Sequence, residues 1–421
     1  MRLFFDPANV MQWVLAPLIA EAIHCGQSMF AQRTEWNLAA NRFSRAIEEH
    51  RKGKRELLDL SASNPTAVGL ERNASRVLQS LCDPRALDYH PDPKGMLLAR
   101  EAVAGYYRQR DAGKSAIDAE RIILTTSTSE GYSFVFRLLC NPGDEILVPQ
   151  PSYPLFEFLA DLQDVRLVPY PLFYDHGWHI DLSSLRAAVN ARSRAIIVVH
   201  PNNPTGSYVH DAELQSLNEL CVERELALIA DEVFFDYAHS EQARVSFAHN
   251  RAALTFTLSG ISKISCLPQM KLAWIVGSGP EGLVQNAWMR LEVIADTYLS
   301  MNAPVQLAAP VLLEQGKVVQ PQLMTRIGEN LKQLDAHLAQ QRMAGRLQTE
   351  AGWYAILRVP AVRLDEDLAI HLLQSRSVLV HPGHFYDFPG DGHLVLSLIT
   401  PPGEFSEGVS RILAEITAIY G

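Results

Sequence analysis

Short runs of hydrophobic residues alternate with stretches of helical periodicity through most of the chain. The runs are apolar at consecutive positions, which is typical of strands buried on both faces of a parallel sheet. Alternation of strand and helix at this spacing indicates βαβ units. The predicted strands are Arg121 to Leu124, Glu145 to Val148, Arg166 to Val168, Ala195 to Val199, Leu226 to Ala230, Leu254 to Leu258 and Leu272 to Val276.

The two ends of the chain have a different pattern. Helical periodicity covers Leu38 to Lys52 and Met96 to Tyr107, and from about Lys317 a long helix precedes more widely spaced strands. That helix is predicted at Gln320 to Met343, the strands near Tyr354 to Val359, Val378 to Val380 and Leu394 to Ile399, and a final helix runs to the C-terminus.

We therefore predict an α/β fold with two domains and an N-terminal helical extension. The large domain, residues 86–309, has a mainly parallel sheet sandwiched by helices. The smaller α+β domain is built from residues 31–85 and 310–421, and residues 1–30 form the extension.

Composition excludes several classes of protein. The chain has 421 residues, 48% of them hydrophobic and 20% charged, which is ordinary for a soluble protein. The net charge of −10 is dispersed, so no basic surface for nucleic acid is expected. Five cysteines, an odd number without a C-x-x-C spacing, argue against a disulfide framework or a structural zinc site, and no metal is expected.

The apolar stretch from Val10 to Cys25 requires an interpretation of its own. Glu21 interrupts it and only Arg2 precedes it, which disfavours a signal peptide. It is also too short and too interrupted to span a bilayer. Together with the cysteine usage, this predicts a cytoplasmic protein with no membrane partner.

Polar residues gather directly after several predicted strands. Ligands of open α/β sheets bind outside the carboxyl ends of the strands, so these clusters should face one crevice. Ser127, Thr128 and Ser129 precede a helix and would form an anion site at its N-terminus, or a plain N-cap cluster. Asn203 begins an Asn-Pro-Thr-Gly turn, and Asp231 ends an apolar strand.

Each of these residues has a structural and a functional interpretation. Asp231 is either a helix cap or a carboxylate that keeps a pyridine nitrogen protonated. Asn203 either belongs to an ordinary loop or donates to a ring hydroxyl. Tyr153, between two prolines, either packs or stacks on an aromatic ring. Lys263 closes the segment Ser259-Gly260-Ile261-Ser262-Lys263, where small neighbours leave room around its amine.

In their order and spacing, these segments resemble the class I and II aminotransferases, which are pyridoxal-phosphate enzymes of fold type I. The resemblance covers about Asp59 to Tyr420. It implies that Lys263 is the Schiff-base lysine of pyridoxal 5′-phosphate. The cofactor-binding residues it implies are Ser127, Thr128, Ser129 and Lys271 at the phosphate, Tyr153 on the ring, Asn203 at the ring hydroxyl, Asp231 at the pyridine nitrogen and Tyr89 at the phosphate of a neighbouring subunit, so a homodimer is expected.

The chain departs from the family pattern at four positions. Lys271 replaces an arginine at the phosphate, keeping the charge without the planar fork, and Gly260 replaces a serine. Phe234 replaces a tyrosine whose hydroxyl would hydrogen-bond the ring oxygen, so the imine pKa should rise. Val395 stands where the family has the arginine for the substrate carboxylate, and an unpaired carboxylate is costly to bury. Candidate substitutes for that arginine are Arg33, His381, His384 and Lys94.

The resemblance implies transfer of an amino group between an amino acid, or an amine, and a 2-oxo acid. Because the carboxylate arginine is missing, a pyridoxal-phosphate-dependent lyase or decarboxylase is an open alternative. A protein that binds the cofactor without catalysis is disfavoured, since Lys263, Asp231 and Asn203 are all present. A cofactor-dependent transcription regulator is disfavoured because no separate DNA-binding module precedes the fold.

Overall fold

A computed structural model describes residues 29–240 and 244–421. Within these residues the strands are β1 (Leu58–Asp59), β2 (Ile122–Thr125), β3 (Glu145–Gln150), β4 (Arg166–Tyr174), β5 (Trp178–Ile180), β6 (Ser193–Val199), β7 (Ala227–Asp231), β8 (Thr255–Gly260), β9 (Ala273–Ser278), β10 (Gly345–Arg346), β11 (Tyr354–Arg358), β12 (Val378–Leu379), β13 (His381–Pro382) and β14 (His393–Ser397).

Helices cover both faces of the larger sheet and join its strands. They are α1 (Arg42–Lys52), α2 (Ala74–Ser80), α3 (Leu97–Arg110), α4 (Thr128–Leu139), α5 (Phe156–Asp161), α6 (Leu182–Ala188), α7 (Asp211–Arg224), α8 (Ile261–Ile264), α9 (Glu281–Thr297), α10 (Ala303–Glu314), α11 (Gly316–Leu338), α12 (Asp365–Arg376) and α13 (Pro402–Tyr420). Short 3₁₀ helices occur at Gln32–Thr34, Pro84–Leu87, Ala119–Arg121, Phe247–His249, Pro268–Met270 and Gly383–Tyr386.

The larger sheet has eight strands in the order β2-β9-β8-β7-β6-β3-β4-β5. Strands β8, β7, β6, β3 and β4 are parallel neighbours, whereas β9 runs antiparallel to both β2 and β8, and β5 pairs antiparallel with β4. The predicted α/β fold with a mainly parallel sheet sandwiched by helices is confirmed. Each of the seven predicted hydrophobic runs overlaps one of its strands.

The central strands are buried on both faces because successive side chains point to opposite sides of the sheet. In β6, Ile196 and Val198 pack into one hydrophobic cluster, while Ala195, Ile197 and Val199 pack into another. This explains why the run is apolar at consecutive positions.

A second sheet, β10-β11-β14-β13, and the two-stranded pair β1-β12 lie in the remainder of the described chain. The N-terminal and C-terminal segments meet there, since Leu58 pairs with Val378 and Arg42 forms an ion pair with Asp367 at 2.7 Å. The first helix begins at Arg42 instead of Leu38 because the side chain of Asn41 accepts a hydrogen bond from the backbone of Ser44. Residues 1–28 of the predicted extension lie outside the described residues.

Candidate active site

The register of the larger sheet brings the predicted site segments to one edge. Asp231 at the end of β7 pairs with Val199 of β6 and Leu258 of β8. Ala273 at the start of β9 pairs with both Gly260 of β8 and Thr125 of β2. The segments that follow β2, β6, β7 and β8, and the one that precedes β9, therefore share this edge.

Lys263 lies on the single turn α8, directly after β8. Its Nζ is 4.9 Å from the centroid of the Trp353 ring and 5.4 Å from that of Phe234, within the range of a cation–π contact. Burial lowers the pKa of Lys263 to about 8, against the opposing effect of Cys266 and of the Asp231 carboxylate. A substantial fraction of this amine is therefore neutral, and nucleophilic, near neutral pH.

Asp231 is 8% exposed, and its carboxylate lies within electrostatic range of the Lys263 amine. The hydroxyl of Tyr132 donates to it at 3.0 Å and the backbone N–H of Val233 at 3.1 Å. Burial raises the pKa of Asp231 to about 6, although both hydrogen bonds and the Lys263 charge favour the ionised form. The carboxylate is thus ionised at pH 7 and positioned to hold a proton on a basic nitrogen.

Asn203 supplies an unsatisfied polar atom at this edge. Its side chain is 6% exposed, and Oδ1 makes no hydrogen bond to any described residue. Burying an amide oxygen without a partner is costly, so a ligand that donates to it would recover that cost. A buried side-chain amide with an unsatisfied atom is compatible with a ligand that presents a polar ring substituent, such as the ring oxygen of pyridoxal.

Tyr153 and Asn203 lie on adjoining loops. The Ser152 hydroxyl donates to Asn202 at 3.1 Å, and the Asn202 amide donates to the Pro151 carbonyl at 3.0 Å. The ring of Tyr153 contacts that of Phe156 edge-on at 6.3 Å. Burial, together with the Asp231 charge, raises the pKa of Tyr153 well above its usual value, so the Tyr153 hydroxyl lies within electrostatic range of that carboxylate.

The hydroxyl cluster begins α4. Ser127 is its N-cap, accepting from the Glu130 backbone at 3.2 Å, and Thr128 and Ser129 are the first two helical residues. Lys271 is exposed and lies two residues before Ala273, so it meets the same sheet edge. These residues can hold a phosphate through backbone N–H groups, hydroxyls and one cation.

Gly260 has a physical reason to differ from the family's serine. A Cβ atom built there would lie 2.8 Å from the Cβ of Ala273 and 3.0 Å from the carbonyl of Leu272. The close approach of β9 therefore leaves no space for a side chain, and the phosphate site must do without that hydroxyl.

Sequence reasoning missed Tyr132, Trp353 and Tyr354. Tyr132 lies one helical turn after Thr128, so its position on the same helix face was a usable signal. Trp353 and Tyr354 contact the ring of Phe234 at 5.1 and 6.4 Å from about 120 residues further along the chain, and no local pattern marks them.

The match to a family model decides the identity. Residues 55–412 match the model of the aminotransferases of class I and II. The chain belongs to this family. The class is generally dependent on pyridoxal phosphate, its members act on amino and 2-oxo acids, and the chain is accordingly a transaminase.

Relatives and solved structures agree with the family. The chain is 24% identical to the glutamate-pyruvate aminotransferase AlaA of Haemophilus influenzae, with 85% of this chain and 90% of the relative covered. It is 26% identical to the alanine aminotransferase of Mycobacterium bovis, with 93% and 94% covered. An aminotransferase structure from Escherichia coli superposes with a TM-score of 0.81 at 22% identity, covering 93% and 99%.

Proposed function

We propose that this aminotransferase binds pyridoxal 5′-phosphate through Lys263 and moves an amino group from an amino acid to a 2-oxo acid. The observation that carries the proposal is the desolvated Lys263 amine within electrostatic range of the buried Asp231 carboxylate, at the sheet edge that Asn203 also follows. When bound, the cofactor supplies an electron sink for the carbanion formed at the substrate Cα.

The residues of the chain divide the work. Lys263 would hold the cofactor covalently, and its amine would move a proton to and from the substrate Cα as general base and acid. Asp231, oriented by Tyr132, holds a proton on the pyridine nitrogen. Ser127 to Ser129 and Lys271 would hold the phosphate, and Tyr153 and Asn203 would hold the ring.

A half-reaction tests this proposal. Purified protein loaded with pyridoxal phosphate is mixed with an amino acid in the absence of a 2-oxo acid. We expect the cofactor to convert to its amine form with release of one equivalent of 2-oxo acid. Release of ammonia or carbon dioxide without that conversion would support a lyase or decarboxylase instead.

We also propose a homodimer in which Tyr89 reaches the phosphate of the neighbouring subunit. Tyr89 is 74% exposed, and exposed apolar side chains accompany it near α3 and along α9: Leu87, Leu97, Met289, Val293, Tyr298 and Leu299. Several exposed apolar side chains of this kind are expected at an interface between subunits. Sedimentation should show a dimer. The substitution Tyr89→Phe should weaken cofactor binding while the protein stays dimeric. A monomer with full activity would refute this arrangement.

Two further assignments are proposals. The division into a large domain, residues 86–309, and a small domain, residues 31–85 with 310–421, is supported by the pairing of β1 with β12. A cytoplasmic location is supported by four free cysteines among the described residues. A separate observation is that no helix in the described part of the chain is long and apolar enough to cross a membrane. Limited proteolysis and cell fractionation test these two assignments.

A further inference from the structure

The direct cross-strand partners of Val395 supply no cation to a substrate. Val395 pairs with Ile356 of β11 and His381 of β13, and all three are buried. Nδ1 of His381 is 3.1 Å from the Tyr386 hydroxyl, and burial lowers the pKa of His381 to about 4. This histidine is therefore neutral at pH 7 and cannot take the place of an arginine.

The other candidate cations are also unsuitable. Arg33 forms an ion pair with Asp164 at 2.9 Å. Lys94 forms ion pairs with Glu120 and Glu292. Burial lowers the pKa of His384, which disfavours its charged form.

Arg72, in the segment before α2, has unused hydrogen-bonding capacity. Its Nη2 donates to the carbonyl of Pro65 at 3.2 Å, which fixes the guanidinium beside the turn Ser63-Asn64-Pro65. Its Nε is buried and has no partner among the described residues, and within them no carboxylate forms an ion pair with it. A buried guanidinium N–H without an acceptor is unfavourable, and a carboxylate is its best complement.

One contact links the turn beside Arg72 to β14, and a second lies next to Lys263. The Ser397 hydroxyl, two residues beyond Val395 and on the same face of β14, donates to the Ala62 carbonyl at 2.5 Å. The turn that Arg72 binds therefore adjoins the strand where the family arginine is missing. On the other side, Cys266 Sγ is 3.7 Å from the Lys263 carbonyl.

Cys266 connects the two cations electrostatically. Burial raises the pKa of its thiol to about 11, while the Tyr237 hydrogen bond and the charges of Lys263 and Arg72 oppose that shift. Lys263 and Arg72 therefore both lie within electrostatic range of the Cys266 thiol.

We propose that Arg72 binds a carboxylate of the amino donor. It would thereby take over the role of the family arginine whose position Val395 occupies in this chain. The inference rests on the proposed transaminase function and makes the donor an amino acid in preference to a simple amine. The planar fork of an arginine suits a carboxylate better than a lysine does, so Arg72→Lys should restore only part of the binding lost in Arg72→Met.

The test compares donors that differ by one carboxylate. For each of four donors, the half-saturation concentration of the donor and the maximal rate of the half-reaction are measured. The donors are L-alanine, ethylamine, L-glutamate and 4-aminobutyrate. Arg72→Met should raise the half-saturation concentration of alanine about 10- to 100-fold, the range for a charge-assisted hydrogen-bonded pair. With ethylamine it should change little. Comparison of 4-aminobutyrate with alanine shows whether Arg72 takes the distal or the α-carboxylate.

Binding of propionate and succinate, measured by calorimetry, provides a readout independent of turnover and should weaken by the same factor. Arg76→Met is the matched control, because Arg76 pairs with Glu314 at the surface. The cofactor spectrum and the melting temperature establish that each variant is folded.

Different results would overturn the role of Arg72 and the proposed transaminase function. Unchanged alanine half-saturation and propionate binding in a folded Arg72→Met protein would overturn the role of Arg72 alone. Equal losses with alanine and ethylamine would show a structural role and also overturn it. A wild-type protein that transfers no amino group from any donor would overturn the proposed function and the inference together.

Discussion

Desolvation of the Lys263 amine has a consequence that can be measured without cofactor. An ordinary lysine titrates near pH 10.5, whereas burial lowers the pKa of Lys263 to about 8. At pH 7.5 the neutral fraction is then about one quarter, compared with about one in a thousand for an ordinary lysine. We expect Lys263 to react with amine reagents about 200-fold faster than an ordinary lysine of equal accessibility and intrinsic nucleophilicity.

The substitution Asp231→Asn tests the electrostatic contribution to the pKa of Lys263. The Asp231 carboxylate raises the pKa of Lys263, so its removal should move the titration midpoint further below 8. Asp335→Asn is the control, since Asp335 pairs with Arg346 in an exposed position and should leave the midpoint unchanged.

The assay is labelling of cofactor-free protein with trinitrobenzenesulfonate between pH 6 and 11, with the Lys263 peptide quantified by mass spectrometry. The labelling rate follows the neutral amine, so its midpoint gives the pKa. A midpoint near 10.5 would refute desolvation of the amine. A midpoint near 8 that does not move in Asp231→Asn would refute the electrostatic contact.

Three substitutions test neighbouring features. Phe234→Tyr should lower the pH midpoint of the bound-cofactor absorption change by about one unit, because a new hydroxyl can donate to the ring oxygen; an unchanged midpoint would contradict this geometry. Gly260→Ser should destabilise the fold by about 1–3 kcal/mol in denaturant unfolding through overpacking, whereas Gly282→Ser, with open space around it, should not. Lys271→Met should raise the Kd for pyridoxal phosphate about tenfold by equilibrium dialysis, and an unchanged Kd would remove Lys271 from the phosphate site.

The strands were predictable from sequence because they are buried on both faces, which forces apolar residues at consecutive positions. Their order in the sheet was not, since register depends on contacts between distant segments. The strand ends were nevertheless sufficient to indicate a common edge for Asp231, Asn203 and Ser127.

The sequence does not distinguish the roles of neighbouring residues that have similar chemistry. Asp231 and Glu232 are adjacent carboxylates, and only the structure separates them. Asp231 accepts from Tyr132 and interacts electrostatically with Lys263, whereas Glu232 accepts from the Ser246 hydroxyl and the Phe247 backbone. Arg72 was missed for the same reason, because nothing in its local sequence distinguishes it from a surface arginine.

The central claim is that Lys263 is the residue that binds pyridoxal phosphate covalently. The direct measurement is reduction of the cofactor-loaded protein with borohydride, followed by protease digestion and mass spectrometry of the lysine peptides. We expect one phosphopyridoxyl group per chain on the peptide that contains Lys263, and none in Lys263→Ala. A modification on Lys271 or another lysine, or no stable modification at all, would contradict it.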